Sequence, residues 1–531
     1  MDENEILFSV IIPIYNTEQY LNECIDSVIS QSIGFEHIQL ILVNSASEDG
    51  SAEICREYVE QYSDHIHYIE LEENKGPSFP RNIAIPYVQG KYTVFLDSDD
   101  KFAGNAFEKA YKFFEEHYDE IDVVACRIKN FDAYGGWHAL DYVFSSDRIV
   151  NIHDEYCNIT STIHAIFKSE AIQNLRMDES ITHCEDTKFI TELILKKGKY
   201  GTLRSVVYLY RRRRMPTSIV QTVKVDPCYY NDYIDKLYLY LFELSNKLYG
   251  KIIPYVQYVA MYSLQWRLLD QLPAWMSEDE RTNYNQKIKE ILCRIDDYII
   301  NEQRNIYKEY KIYCLRLKYG DDIYSQFQLI SGKFIFHNLC WCETGNRAIL
   351  NYWWHGVDAN GIMRLTGEIN FPFPKDTYSI FARDNLGNCY PFEYDENMEK
   401  SKQSLGEACL IIRPFELRMP LEGVSRIELF LRYQNAEFPL FINVGRFSLL
   451  SRNPPESYCR IRGYLFSCTD RAILVEKDNP QIAKKHKRAL WRGLMKRKDK
   501  RAIACRLCAA VLRRFSGRQD IRILFGNDRI I

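Results

Sequence analysis

A cluster of four oxygen-bearing side chains, Asp97-Ser98-Asp99-Asp100, follows directly after the apolar run Tyr92–Leu96. Carboxylates at the end of a buried strand are unfavourable unless a cation or hydrogen bonds compensate their charge. Mg²⁺ and Mn²⁺ bind through oxygen, with one or two carboxylates from the protein and the other ligands from phosphates and water. The cluster therefore predicts a site for a divalent cation that carries a diphosphate, as in a nucleotide sugar. A simple polar turn is the alternative.

The spacing within this cluster distinguishes its members. Asp97 and Asp99 lie two residues apart, so an extended backbone places their side chains on one side. We predict both as metal ligands, with Asp99 the nearer one, and Ser98 as part of the donor site. Asp100 would then point away and form hydrogen bonds within the loop.

A second acidic pair, Glu185-Asp186, opens the apolar-periodic stretch Phe189–Leu195. Acidic residues at the start of a helix are favoured by the helix dipole, so helix capping is one interpretation. The other is a general base, which would take the proton of an acceptor hydroxyl while that oxygen attacks the anomeric carbon of a sugar. Position alone favours neither interpretation.

Arginine side chains occur at two places where they could meet a diphosphate. Arg81 stands in the segment Gly76–Asn82, at the start of the helix that precedes the aspartate cluster. Four arginines, Arg211–Arg214, follow an apolar strand, and Ser218 comes shortly after them. Guanidinium groups pair with phosphate oxygens and would stabilise charge that develops on a leaving diphosphate. A surface arginine, a solvated basic run and a nucleic-acid patch are the alternatives.

Two loops complete the set of polar segments. In the first, Pro13 ends the hydrogen bonding of a strand and would turn Tyr15 and Asn16 toward a ligand. The second lies between a strand and a helix start and contains Ser45 and Asp49. Donor groups near a helix N-terminus favour an anion or a nucleobase. A strand terminator and an ordinary capped loop are the alternatives.

Alternating strands and helices along residues 6–127 would position these segments. Apolar runs predict five strands, at Ile6–Ile14, Gln39–Val43, Ile66–Leu71, Tyr92–Leu96 and Ile121–Cys126. Periodic apolar residues predict helices over 17–32, capped by Thr17, over 51–62, and near 77–88 and 105–117. This order is typical of a doubly wound, mostly parallel α/β sheet, which binds ligands at the carboxyl ends of its strands.

Composition predicts four parts of the chain. The α/β domain would occupy residues 1–222, and residues 223–328 carry apolar residues at helical spacing, which predicts a helical connector. Residues 329–479 alternate short apolar runs with Gly, Asn, Asp and Pro, which is typical of a β-sandwich and makes this domain a candidate for acceptor binding. Residues 480–531 form a basic helical tail.

The formal net charge of −4 masks an uneven distribution over the 531 residues. Residues 484–518 contain 14 Lys and Arg against one acidic residue, Asp499, so the remaining chain is acidic. An acidic body disfavours nucleic acid as a partner, whereas the tail could contact anionic lipid. The acidic N-terminus differs from a signal peptide, no apolar stretch of about 18 residues predicts a membrane span, and the scattered cysteines favour a reducing cytosol.

These segments together resemble the family 2 glycosyltransferases, which have the GT-A fold. The resemblance covers about residues 6–222 and is carried, in the family's order, by Ser9–Asn16, Arg81-Asn82, Phe95–Asp100, Glu185-Asp186 and Tyr210–Arg213 with Ser218. It implies transfer of a sugar from a nucleotide donor, usually a UDP-sugar, with inversion at the anomeric carbon and with Mg²⁺ or Mn²⁺. It also implies Asp186 as the base, beside Glu185, and diphosphate contacts from Arg81, Arg211 and Arg213.

A narrower resemblance is to bacterial enzymes that build capsule or teichoic-acid polymers, and residues 107–126 and 236–267 carry it. It implies an acceptor hydroxyl on a polysaccharide or polyol-phosphate polymer, at the cytoplasmic face of the plasma membrane, with segment 484–518 as a peripheral membrane contact. Residues 520–529 resemble the beginning of the polyol-phosphate transferase domain that some of these enzymes carry. The sequence leaves two interpretations open: the chain is one half of a bifunctional polymerase, or it is a protein without that second activity.

Three positions depart from the family pattern. Ser45 stands where the nucleobase loop usually has an acidic residue, so contact with uracil weakens or changes. Pro80 and Ala84 stand where the family favours Ala and Gly, which alters the helix start but should retain binding. Because of Ser45, a catalytically weak carbohydrate-binding scaffold is the alternative function, and a membrane-recruitment module centred on the tail is another.

Overall fold

The computed structural model describes residues 5–160, 162–181, 183–213, 227–269, 271–343, 350–394, 396–444, 459–469, 471–479 and 481. The predicted ligand residue Ser218 and the basic tail at 484–518 lie outside the described residues. The chain divides into two compact units. The first comprises Met1–Gly320 with Gln403–Glu407, and the second comprises Asp321–Lys402 with Ala408–Ile531.

The first unit contains one ten-stranded sheet. Its strands are β1 Phe8–Ile14, β2 Ile38–Ser45, β3 Ile66–Leu71, β4 Tyr92–Phe95, β5 Lys101–Phe102, β6 Val123–Asp132, β7 Gly136–Trp137, β8 Arg148–Asn151, β9 Ala165–Lys168 and β10 Lys199–Arg212. The order is β3-β2-β1-β4-β9-β6-β10-β5, with β7 beside β6 and β8 beside β10. Strands β1 to β4 run parallel, as do β6 and β10, whereas β9 is antiparallel to both of its neighbours. The mostly parallel α/β sheet predicted from the sequence is thus confirmed.

Helices cover this sheet and continue beyond it. They are α1 Glu18–Ile29, α2 Ser51–Gln61, α3 Ser78–Ala84, α4 Ala106–Glu116, α5 Ser169–Ile172, α6 Glu185–Lys197, α7 Pro227–Tyr233, α8 Tyr240–Tyr249, α9 Pro254–Leu269, α10 Glu278–Cys293, α11 Asp297–Glu302 and α12 Lys308–Tyr319, with a π-helical segment at Ile234–Leu239. The apolar stripe of α1 is buried, because four residues at three- and four-residue spacing face the sheet: Leu21, Cys24, Ile25 and Val28.

Sheet register brings the polar loops to one edge. Ile14 near the end of β1 is aligned with Asn44 on β2, and Ile11 is aligned with Phe95 at the end of β4. The loops that follow these three strands therefore leave the same edge of the sheet. Hydrogen bonds join the first two loops, since Asn16 N donates to Ser47 Oγ at 3.1 Å.

The second unit is rich in antiparallel strands. Its elements are α13 Ile323–Gln326, β11 Gln328–Ile330, β12 Lys333–Phe336, β13 Leu339–Glu343, β14 Leu350–Val357, β15 Ile362–Asn370, β16 Tyr378–Asp384, β17 Cys389–Pro391, β18 Glu393–Tyr394, β19 Lys400–Ser404, β20 Glu407–Pro420, β21 Arg426–Tyr433, β22 Ala436–Pro439, β23 Asn443–Val444, β24 Cys459–Ile461, β25 Tyr464–Cys468 and β26 Ala472–Lys477. They form sheets of three, six and seven strands. Burial alternates along β15 and β21, which indicates sheets with one face against a core.

In the part of the chain that the structure describes, no helix combines the length and the apolar character needed to cross a lipid bilayer.

Candidate active site

The loop after β4 is anchored to the start of α1. Thr17 stands at the N-cap of α1, but its hydroxyl makes no capping hydrogen bond and instead donates to Ser98 Oγ at 3.0 Å. Asp49, on the loop after β2, replaces the missing cap, since its Oδ2 accepts from Glu18 N at 3.0 Å and its Oδ1 accepts from Ser51 N at 3.1 Å. Thr17 is therefore the N-cap residue, as predicted, but its side chain makes no capping hydrogen bond, and Asp49 instead accepts from the first backbone N–H group of the helix.

Arg81 connects the two acidic motifs. It lies on α3 and is only 5% exposed. One terminal nitrogen donates to Asp97 Oδ1 at 2.6 Å and the other to Glu185 Oε1 at 3.3 Å. Burial acts most strongly on the Asp97 pKa and raises it, but Arg81 and His164 together outweigh burial and hold that pKa below its ordinary value. The Asp97 carboxylate is therefore a permanent negative charge at neutral pH.

The other two aspartates of the cluster bind groups of β10. Asp99 Oδ2 accepts from Arg213 Nε at 3.0 Å and from its Nη2 at 2.6 Å. Asp100 Oδ1 accepts from Arg211 N at 2.6 Å, and its Oδ2 accepts from the Tyr208 hydroxyl at 2.8 Å. Burial, followed by the charges of the other two aspartates, raises the Asp100 pKa well above its ordinary value. Asp100 thus joins the cluster to β10.

Arg211 has several protein partners at once. Its Nε donates to the Asp99 carbonyl at 2.7 Å, its Nη1 donates to Asp132 Oδ2 at 3.2 Å, and its Nη2 forms an ion pair with Glu23. Arg211 on β10 and Arg213 just after it were both predicted to contact diphosphate. Arg211 is bound to carboxylates of the surrounding elements, and Arg213 is bound to the aspartate cluster itself. Ser218, the last member of that predicted group, is outside the described residues.

His164 also belongs to this cluster, although no sequence motif points to it. It immediately precedes β9, is 8% exposed, and places Nε2 3.7 Å from Asp97 Oδ2. Both ring nitrogens are buried without a hydrogen-bond partner among the described residues. Ligand atoms of Asp97, Asp100 and His164 all lie within 4.8 Å of one another. A single histidine beside an apolar strand carries no spacing signal, so only the fold reveals it.

The second acidic pair lies at the N-terminus of α6. Burial and the neighbouring Asp186 charge raise the pKa of Glu185 to about 8. Burial also raises the pKa of Asp186, although its Oδ1 accepts a hydrogen bond from Thr187 N at 2.7 Å. Glu185 therefore favours its protonated form near neutral pH. Asp186 is the member of the pair that is available as a base.

The residue before this pair has an unusual backbone. Cys184 is the N-cap of α6 and adopts a left-handed conformation with φ of 61°. Its Sγ lies 3.8 Å from Ser263 Oγ on α9, and that hydroxyl lies 3.1 Å from the Tyr238 hydroxyl. Tyr238 in turn accepts from Arg267 Nε at 3.2 Å. The helical segment after residue 227 therefore contacts the residue that precedes the acidic pair, and it belongs to the same compact unit.

The predicted nucleobase side is built from the first two loops. Asn16 has a left-handed φ of 50°, and its Oδ1 accepts from Glu48 N at 2.8 Å. Tyr15 is 46% exposed, so its ring is accessible. Pro13 is the penultimate residue of β1. Ser45 is 2% exposed, and its hydroxyl has no hydrogen-bond partner among the described residues. Asn16 thus holds the loops together, and Tyr15 is the side chain open to a ligand.

Comparison with known proteins identifies the class. Residues 9–177 match Glycosyl transferase family 2. The minor teichoic acid biosynthesis protein GgaA of Bacillus subtilis strain 168 is 32% identical over 322 residues, which are 58% of this chain and 72% of that protein. The chain therefore belongs to glycosyl transferase family 2. This confirms the resemblance drawn from the motifs, and the mostly parallel sheet is that of the GT-A fold.

Two further similarities were found. The minor teichoic acid biosynthesis protein GgaB of the same strain is 38% identical over 323 residues, which are 60% of this chain but 36% of that protein. This chain thus spans only about a third of that relative's length. The crystal structure of S. aureus TarS has a TM-score of 0.48 at 15% identity and covers 90% of this chain and 86% of that chain.

Proposed function

We propose that this protein transfers a sugar from a nucleotide donor to a hydroxyl of a bacterial surface polymer, of teichoic-acid or capsular type, with inversion at the anomeric carbon. The observation that supports this most directly is the position of Arg81, which bonds to both Asp97 and Glu185. These two bonds join the predicted donor-binding Asp97 to the direct neighbour of Asp186, the predicted base, and this supports the proposal. Transfer to a hydroxyl needs both groups beside the same sugar.

Asp186 acts as the general base. Its raised pKa suits a group that takes a proton from a hydroxyl near neutral pH, because the best catalytic base has a pKa close to the working pH. Glu185 retains the proton of the pair, since its pKa is about 8, and so limits repulsion beside the ionised Asp186. One base and no covalent intermediate give inversion, which is the expected outcome for this pair.

The aspartate cluster provides the oxygen ligands that Mg²⁺ or Mn²⁺ takes. The sequence predicts Asp97 and Asp99 as the metal ligands. In the structure, ligand atoms of Asp97, Asp100 and His164 lie within 4.8 Å of one another. Asp97 belongs to both sets. The two unpartnered nitrogens of His164 fit such a role. A bound cation would neutralise charge on the leaving diphosphate. Arg81, Arg211 and Arg213 supply positive charge from the protein at the same place.

The donor is proposed to be a UDP-sugar, with Pro13, Tyr15, Asn16, Ser45 and Asp49 around the nucleotide and with Ser98 and Ser218 nearer the phosphates. The acceptor class follows from the similarity to two proteins of minor teichoic acid biosynthesis. The protein would act at the cytoplasmic membrane face, with basic segment 484–518 as its contact to anionic lipid. Liposome co-sedimentation with and without that segment tests the contact, and equal binding of both forms would contradict it.

A donor screen tests the activity itself. A panel of nucleotide sugars is added with Mg²⁺ or Mn²⁺, and the unfolding temperature is measured, since a bound donor stabilises the folded state by mass action. The stabilising donors are then assayed for release of nucleoside diphosphate. We expect one uridine sugar to stabilise the protein and to be hydrolysed slowly without acceptor. Stabilisation without any release would instead identify a carbohydrate-binding scaffold.

A further inference from the structure

One face of α9 is turned toward the acidic pair. Residues 262, 263 and 266 share a face of this helix because they are separated by one, three and four positions. Ser263 contacts Cys184, which directly precedes Glu185. The contact places Ser263 beside the residue that begins α6, and the neighbouring Tyr262 lies within the influence of the Asp186 charge. Trp266 follows one turn further along the same helix.

Tyr262 and Trp266 form an aromatic pair on this face. Tyr262 is 7% exposed, and burial, followed by the charge of Asp186, raises its pKa. Its ring meets the Trp266 ring edge to face, with centroids 6.5 Å apart at 87°. Trp266 is 48% exposed. The pair therefore joins a buried ring that the Asp186 charge influences to a ring exposed at the surface of the molecule.

The exposure of Trp266 differs in kind from that of two other tryptophans. Trp137 is 42% exposed, but the Arg127 guanidinium covers one ring face at 3.5 Å. Trp275 is 43% exposed and meets Tyr230 with centroids 5.8 Å apart, away from the acidic pair. Within the described residues, Trp266 has Tyr262 as its aromatic neighbour and no cation over its ring. A large aromatic surface left open beside a reactive group is typical of a ligand contact.

We propose that Trp266, held by Tyr262, is a stacking subsite for a sugar ring of the acceptor. The proposal rests on the proposed function, because it takes Asp186 as the base. A molecule that presents a hydroxyl to Asp186 must place its adjoining unit near α9, which makes the acceptor the occupant. A pyranose ring has an apolar C–H face that packs on an indole while its hydroxyls point elsewhere. The helical segment after residue 227 thus binds the acceptor. The acceptor contains sugar rings near its reacting hydroxyl.

Binding of two tetrasaccharides tests this subsite. Cellotetraose and the β-linked tetramer of N-acetylglucosamine are titrated into the full chain, and quenching of tryptophan fluorescence is followed. Sugar-free poly(glycerol phosphate) is titrated in parallel. We expect saturable quenching by at least one tetrasaccharide and a dissociation constant about tenfold higher in Trp266→Ala. Trp266→Phe should stay within about threefold of the unaltered protein, because it keeps an aromatic face.

Trp275→Ala is the matched control, since it removes an equally exposed tryptophan at another place and should leave affinity unchanged. Equal tetrasaccharide affinity in Trp266→Ala would overturn the subsite. So would the absence of tetrasaccharide binding, or a dependence on Trp266 for poly(glycerol phosphate) alone. Donor hydrolysis is measured on the same samples and should be equal in Trp275→Ala and the unaltered protein. Its absence in the unaltered protein would count against the proposed function and not against Trp266-dependent sugar binding.

Discussion

The two acidic motifs lie at one edge of the sheet but differ in their electrostatics. In the aspartate cluster, burial raises the pKa values of Asp99 and Asp100, but Asp97 has a pKa below its ordinary value because Arg81 and His164 together outweigh the effect of burial. In the pair on α6, burial raises both pKa values, that of Glu185 to about 8. Asp97 therefore supplies a permanent charge for binding, whereas the pair on α6 contains no such carboxylate and is poised to exchange a proton.

A single cation, Arg81, contributes to the difference between the pKa values of Asp97 and Glu185. Arg81 lies 2.6 Å from Asp97 but 3.3 Å from Glu185, so it stabilises the ionised form of Asp97 more strongly. Asp97 also has His164 nearby, whereas Glu185 has the like charge of Asp186. Two motifs with the same residue types can thus take separate chemical roles because their neighbours differ.

The largest effect is expected from removal of the base. Asp186→Asn keeps the shape of the side chain but cannot accept the proton, so turnover should fall by about 10²-fold or more. Donor affinity, measured by calorimetry, should stay the same, because the donor-binding carboxylates are intact. Near-normal turnover in this variant would show that the α6 pair does not have the role of base.

Removal of the divalent cation tests the other motif. We expect donor affinity in a chelator to fall by about tenfold or more, since the diphosphate would then face uncompensated carboxylates. Asp97→Asn should reduce the effect of the chelator, because it removes the carboxylate that both proposed ligand sets contain. Calorimetry with and without Mn²⁺ measures both. Equal affinity in chelator would contradict a metal site at this cluster.

The left-handed backbone at Cys184 allows a finer test of how the α6 pair is positioned. Cys184→Val should lower turnover by about tenfold with donor KM unchanged, because a β-branched residue is strained at a φ of 61°. Cys184→Gly relieves that strain and should retain more activity than the Val variant. If the two variants had equal turnover, backbone conformation would not be the cause.

The smallest expected effect concerns stability and pH. Between its ordinary pKa of 4.5 and about 8, Glu185 holds a proton in the folded protein that it loses on unfolding. Its contribution to stability is therefore complete at low pH and is lost as pH rises through this window. Glu185→Gln removes that dependence, so its unfolding temperature should exceed that of the unaltered protein at pH 8 by about 2 °C or more, and less at pH 5. Thermal scans at both pH values measure it, and a larger gain at pH 5 would contradict the raised pKa.

Most elements of the first 127 residues could be predicted because their apolar patterns are strong. The strand Ile66–Leu71 agrees with the prediction at both ends, and α1 differs by only a few residues. The strand predicted at Ile121–Cys126 instead runs from Val123 to Asp132. Its second half is less buried and is held by pairing with β10, which a local apolar pattern does not reveal.

The sequence by itself determined the family, the α/β fold and the acidic and basic motifs, because each depends on residues that are close together along the chain. Tertiary structure alone decided how those motifs are joined. Arg81 and Glu185 are 104 positions apart, and the sequence has no local signal for their contact. The same holds for His164 beside Asp97 and for α9 beside Cys184. The pKa values of the carboxyl groups follow from these long-range contacts and from burial, which only the folded chain creates.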